Sequence, residues 1–165
     1  MSQGYDSLLG PGGYFWGRSE EPVSTILGSC VSLIAWLPEK QSMLVTHVML
    51  PTAPVGDEGS LRYGDAVLAR WQADAEQLLA RTEDVQLALV GGSSQLYQAS
   101  EYQMSVGYKN ILYLQQALTQ RGLCLRYQET GGQYHRKLLV DTQNGRFWWQ
   151  RLGDPQHPDY EEGIW

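Results

Sequence analysis

A chain of 165 residues, 42% of them hydrophobic, is long enough for one domain with a true core and needs no metal or disulfide staples. Its formal charge of −6 at pH 7 leaves no basic surplus for phosphates, which argues against a nucleic-acid partner. No run approaches the ~18 consecutive apolar residues of a membrane span, and the opening residues lack the basic start and apolar stretch of a secretory leader, so a cytoplasmic protein without membrane insertion is expected.

In chain order, the Gly-rich, polar start gives way to a short strand at Tyr14-Phe15-Trp16 and a polar turn at Arg18 to Pro22. From Val23 to Leu37 the residues are β-branched and apolar except at Gly28-Ser29, which reads as a strand, a tight bend and a second strand from Cys30 to Leu37. Pro38 to Gln41 makes a turn, and Met43 to Leu50 is a further strand ended by Pro51. With Pro38 and Glu39 as a two-residue loop, Leu37 pairs with Lys40 and Cys30 lies opposite His47. Directly opposed residues have Cβ atoms about 4.5–5.5 Å apart, within reach for a thiol and an imidazole, although a longer loop would shift the register.

Beyond a Pro/Gly/Asp loop, residues Tyr63 to Ala80 carry Val67, Leu68, Trp71, Ala75, Leu78 and Leu79 at helical spacing. A strand over Val85 to Val90 leads into Gly91-Gly92-Ser93-Ser94, which lacks the Lys and spacing of a phosphate loop and reads as a turn near the site. A second helix is expected over Val106 to Gln120, stopped by Gly122. Strands follow at Leu123 to Tyr127, Lys137 to Asp141 and Arg146 to Gln150, the last two joined by the hairpin turn Asn144-Gly145. Trp148 and Trp149 must then point to opposite faces. The pattern is α+β: one layered domain of mostly antiparallel strands with two main helices.

Cys30 and Cys124 form no CxxC pair, so neither structural zinc nor a disulfide framework is expected. A lone strand cysteine is more often a small buried hydrophobe than a nucleophile, and Cys124, between Leu123 and Leu125, reads as packing. Cys30 differs because Gly28-Ser29 precedes it. A bend there exposes the thiol and turns the N–H groups of Gly28, Ser29 and Cys30 outward as candidate oxyanion donors. His47 is the one histidine inside an apolar strand that can pair with the cysteine strand, whereas His135 and His157 read as surface residues. A nucleophile–base pair also needs a group that fixes the imidazole, and Ser24, Thr25 and Thr46 are the nearby hydroxyls.

The motifs Leu27-Gly28-Ser29-Cys30-Val31 and His47-Val48-Met49-Leu50-Pro51 together resemble the CheD family of chemoreceptor glutamine deamidases. The resemblance continues through Tyr63-Gly64-Asp65-Ala66, Gly91-Gly92, Val106-Gly107-Tyr108-Lys109-Asn110, Glu129-Thr130-Gly131-Gly132 with Arg136, and the hairpin at Gly145. It covers about residues 12–152, leaving residues 1–11 as a flexible N-terminus and 153–165 as an acidic, Pro-containing tail. It implies an α-β-β layered sandwich shared with toxin deamidases and a Cys–His–Thr catalytic set. Cys30 and His47 fall on the family's cysteine and histidine, and the threonine position falls on Ser24 if its spacing to the cysteine is kept, with Thr25 one place later as the alternative. After Gly91-Gly92 the chain also departs from the family, with Ser94-Gln95-Leu96-Tyr97 where a small residue and Met-Phe are usual. The implied substrate is a glutamine side chain on a methyl-accepting chemotaxis receptor, with no metal or organic cofactor. The rival expectation is a weakly catalytic or inactive adaptor that binds receptors and a CheC-type phosphatase.

Overall fold

A computed structural model gives the arrangement of residues 6–78, 84–95 and 99–165. Among these residues ten strands form two five-stranded sheets, and two main helices cover one of them. The inner sheet has the order β2 (Tyr14–Gly17), β5 (Ser42–Thr46), β4 (Val31–Leu37), β6 (Gln86–Gly91), β7 (Leu125–Thr130). The outer sheet has the order β1 (Ser7–Leu8), β3 (Val23–Leu27), β8 (Arg136–Asp141), β9 (Arg146–Arg151), β10 (Glu161–Glu162). All pairings are antiparallel except β1 with β3 and β6 with β7. The helices are α1 (Gly64–Gln77) and α3 (Val106–Gln120), with a single turn, α2 (Ala99–Tyr102), just before α3.

The three layers explain why β4 reads as a nearly continuous apolar run, interrupted only by the buried Ser32, and not as an alternation. Val31, Leu33, Ala35 and Leu37 pack under α1 and α3, against Leu68, Trp71, Leu114 and Leu118. On the other face Ile34 and Trp36 meet Val23, Leu138, Val140 and Phe147 of the outer sheet. A strand covered on both sides has no face left for polar residues. Each large apolar side chain fully buried in this way contributes roughly 1.5–3 kcal/mol. In the outer sheet β9 alternates, with Trp149 buried while Trp148 is partly open under the Arg146 guanidinium.

Helix α3 spans the expected residues, capped by the Ser105 hydroxyl, which accepts from the Tyr108 N–H. Helix α1 is described to Gln77; residues 79 and 80 of the expected helix lie outside the described residues. The bend at Gly28-Ser29 carries the chain from Val23–Leu27 in the outer sheet to Val31–Leu37 in the inner one. Two expectations are corrected. Cys124 is exposed, because β7 starts after it at Leu125. The β4–β5 loop is the 3-10 turn Pro38–Lys40 plus Gln41 at φ 46°, so Leu37 pairs with Ser42 and not with Lys40. That shift of two residues sets Cys30 diagonal to His47, yet it preserves strand parity, so both still face the space between the sheets.

The tail beyond residue 152, which carries no fold signal of its own in sequence, adds β10 to the edge of β9 and packs Trp165 edge-on against Phe147.

Candidate active site

Where the chain crosses between the sheets it leaves a cavity of about 810 Å³. Cys30 and His47 both line it, together with Leu9, Ser93, Val106 and His135. None of its described lining residues is Asp, Glu, Lys or Arg.

His47 reaches this position because β5 stops one residue earlier. The Thr46 hydroxyl bonds both the N–H and the carbonyl of Leu33, each at 3.0 Å, replacing ladder partners at the strand end. The His47 main chain then leaves β4 for the N-terminal segment, donating to the Gly13 carbonyl at 3.1 Å and accepting from the Gly12 N–H at 2.9 Å. Thr46 is thereby committed to the sheet and does not serve the imidazole.

The imidazole meets Thr25 across the gap between the sheets. Thr25 Oγ1 lies 2.7 Å from His47 Nδ1 and 2.7 Å from the Leu9 carbonyl. A hydroxyl has one proton, and a carbonyl can only accept. Thr25 therefore donates to Leu9 and accepts from His47, which puts the imidazole proton on Nδ1 and leaves a lone pair on Nε2. Ser24 points to the opposite face of β3, as strand geometry requires. Its hydroxyl is buried there beside Asp6, whose carboxyl it helps hold below its ordinary value. The structure thus brings Thr25, and not the expected Ser24, to the imidazole.

On the thiol side, the carbonyl of Gly28 accepts from the Ser93 N–H and that of Cys30 from the Gly92 N–H, both at 2.9 Å. Among the described residues the N–H groups of Gly28, Ser29 and Cys30 have no hydrogen-bond acceptor. The Gly91-Gly92 turn comes this close because it has no side chain: a Cβ on Gly91, at φ 113°, would sit 2.5 Å from the Cys30 carbonyl oxygen. Arg136 supports the turn from behind. It is 2% exposed, donates to the Gly91 carbonyl, and shares the Glu129 carboxylate with Arg151.

Burial pushes the Cys30 thiol above its ordinary value. Burial also holds His47 below its ordinary value, with the Leu9 carbonyl acting in the other direction. Near neutral pH these directions keep the thiol protonated and the imidazole neutral. An imidazole in that state can accept a proton, and a thiol that gives one up can act as a nucleophile. His135 is exposed, as expected of a loop residue, yet its ring packs on Gly28 at the cavity mouth, where a Cβ would lie 3.0 Å from Nε2. No sequence signal pointed to the Leu9 carbonyl, since any residue supplies a carbonyl. Among the described residues no group of three or more His, Cys, Asp and Glu is placed to hold a metal ion, and no helix is long and apolar enough to cross a membrane.

Comparison with known proteins agrees with this architecture. The family model CheD, described as CheD chemotactic sensory transduction, matches residues 49–151. The chain belongs to the CheD family. A relative from Leptospira interrogans, named "Probable chemoreceptor glutamine deamidase CheD 1", is 31% identical over 163 residues, covering 92% of this chain and 94% of its own. "Probable chemoreceptor glutamine deamidase CheD 3" of Dechloromonas aromatica is 30% identical over 97% of this chain and 94% of its own. A Rhodospirillum rubrum relative of the same deamidase name is 32% identical over 84% of this chain and 78% of its own. The CheD family match begins two residues after His47, so it covers neither Cys30 nor His47, which rest on the geometry above.

Proposed function

We propose that this chain is a cytoplasmic protein-glutamine deamidase that converts glutamine side chains of chemoreceptors to glutamate through a Cys30 thioester. The observation that carries the reading is the Leu9–Thr25–His47 relay, which leaves the Nε2 lone pair available in the cavity that also holds Cys30. His47 Nε2 takes the thiol proton as sulfur attacks the carboxamide carbon, and the resulting oxyanion is received by the free N–H groups at Gly28 to Cys30. His47 then passes that proton to the departing nitrogen, which leaves as ammonia while a thioester forms. Water, deprotonated by His47, attacks the thioester; sulfur departs and regains its proton, and glutamate is released. The cavity lining suits both ends of the reaction, since its described residues include no fixed charge to repel a neutral amide and no Lys or Arg to retain a carboxylate.

The adaptor reading drew on Ser24 standing where a threonine is expected. The hydroxyl at His47 is that of Thr25, which removes that support. Mass spectrometry of a receptor cytoplasmic fragment, incubated with wild type or Cys30→Ala, tests the proposal. The expected result is a gain of roughly 1 Da per converted glutamine, the change from amide to acid, with wild type alone. Unchanged mass with every cognate receptor, from folded protein, would favour the partner-binding adaptor.

A further inference from the structure

Asn110 lies at the fifth position of α3, with no exposed surface and no place in the reaction just described. Its Nδ2 donates to the carbonyl of Ser29 and to the carbonyl of Met49, both at 3.0 Å. Ser29 immediately precedes the nucleophile, and Met49 lies two residues beyond His47. Both protons of one amide thus tie the thiol segment to the imidazole segment. The main chain joins these segments nearby through the reciprocal Val31–Val48 bonds of 3.0 and 2.8 Å. The first turn of α3 can come this close because Gly107 has no side chain; a Cβ there would lie 2.4 Å from the Gly92 carbonyl oxygen.

The Ser29–Cys30 peptide is a rigid plane in the trans form. In a trans peptide the carbonyl and the following N–H point in opposite directions. Holding the Ser29 carbonyl toward α3 therefore turns the Cys30 N–H away from α3. That N–H has no acceptor among the described residues, and both Ser29 and Cys30 line the cavity. We infer that Asn110 is a positioning residue for the oxyanion site: by fixing the Ser29–Cys30 peptide plane it aims the Cys30 N–H at the developing oxyanion, without itself touching substrate. This assignment rests on the proposed deamidase reading.

The test separates oxyanion stabilisation from thiol reactivity. Alkylation by iodoacetamide needs the Cys30 thiolate but forms no oxyanion, whereas deamidation needs both. Both rates are measured for Asn110→Ala and Asn110→Asp in a Cys124→Ser background, with thermal melts to establish that the variants fold. The expected result is a fall in kcat of about 100-fold, the effect of losing one oxyanion donor, with KM and the Cys30 alkylation rate within about twofold of the parent. Two outcomes would overturn the assignment: kcat retained in both folded variants, or alkylation and deamidation falling together, which would make Asn110 a support for the fold as a whole. If Asn110→Ala fails to fold, Asn110→Asp alone decides, since it keeps the side-chain volume. Parent protein that alkylates at Cys30 yet converts no receptor glutamine overturns the deamidase reading itself, and this assignment with it.

Discussion

The thiol half of the site is assembled from main chain, whereas the imidazole half hangs on one side-chain hydroxyl. Around Cys30 the partners are the N–H groups of Gly92 and Ser93, held in place by two glycines and the buried Arg136. Around His47 the partner is Thr25, itself oriented by the carbonyl of Leu9. The difference teaches where each half is vulnerable. Main-chain partners are lost when the backbone cannot approach, so the thiol half is sensitive to added volume. A relay of hydroxyl and imidazole is lost when one oxygen atom is removed, so the other half is sensitive to polarity at constant volume.

Removing the base itself has the largest expected effect. His47→Ala should lower kcat for receptor deamidation by about 10³–10⁴-fold, toward the upper end of what a positioned general base supplies. A folded variant within tenfold of wild type would move the base elsewhere, with His135 at the cavity mouth the next to test. On the thiol half, Gly91→Ala should destabilise the fold by on the order of 3 kcal/mol, because it combines a left-handed backbone with a Cβ driven into the Cys30 carbonyl. Urea unfolding measures this, and an unchanged midpoint would mean that the turn relaxes freely.

The imidazole half is tested by an isosteric change. Thr25→Val keeps the volume and removes the oxygen, with an expected loss of about 10–100-fold in kcat as the imidazole tautomer is released. Thr25→Ser should recover most of this, and ¹⁵N shifts of His47 should show the Nδ1 proton in wild type and Thr25→Ser but not in Thr25→Val. Equal tautomer populations in all three proteins would sink the relay.

Next comes pH. Because burial lowers His47, the base stays neutral below its ordinary value of 6.5, and the acid limb of kcat/KM should lie below that pH. The same burial lets the unfolded chain bind the proton more readily, so the stability tied to His47 is present above 6.5 and lost as pH falls through its lowered value. Because burial raises Cys30, alkylation of Cys30 in the Cys124→Ser background should reach half its limiting rate above pH 9.0, the ordinary thiol value. A midpoint near pH ~6 would instead indicate a preformed ion pair. The smallest effect is expected of Ser24→Ala, within about twofold in kcat, since its hydroxyl lies beside Asp6 on the far face of β3, away from the imidazole.

Ser24 shows how far sequence reasoning reaches into this site. Spacing to the cysteine favours Ser24, but spacing counts residues along one strand and takes no account of the face each one presents. Thr25 faces the imidazole because β3 lies in one sheet and His47 in the other, an arrangement that no residue near Gly28 announces. The hairpin register is a similar case. Pro38-Glu39 allows a two-residue loop, while Gln41 in a left-handed conformation makes it longer. The shift was an even number of residues, so Cys30 and His47 kept the same face and line one cavity despite the wrong register. Helix α3 was legible to the residue because its Ser cap, its apolar spacing and its stop at Gly122 are local signals.

By itself the sequence determined the two main helices, most strands and the layered α+β class. These follow from periodicity, turn residues and side-chain chemistry, all of which act over a few neighbouring residues. Tertiary structure alone decided that Gly28-Ser29 is a crossing between two sheets, that Thr25 rather than Ser24 meets His47, that the Leu9 carbonyl accepts from Thr25, and that the Asn110 amide reaches the carbonyls of Ser29 and Met49. Those choices depend on contacts between segments separated by 16 to 81 residues. Their partners are backbone atoms that every residue carries, so the identities of the residues do not encode them.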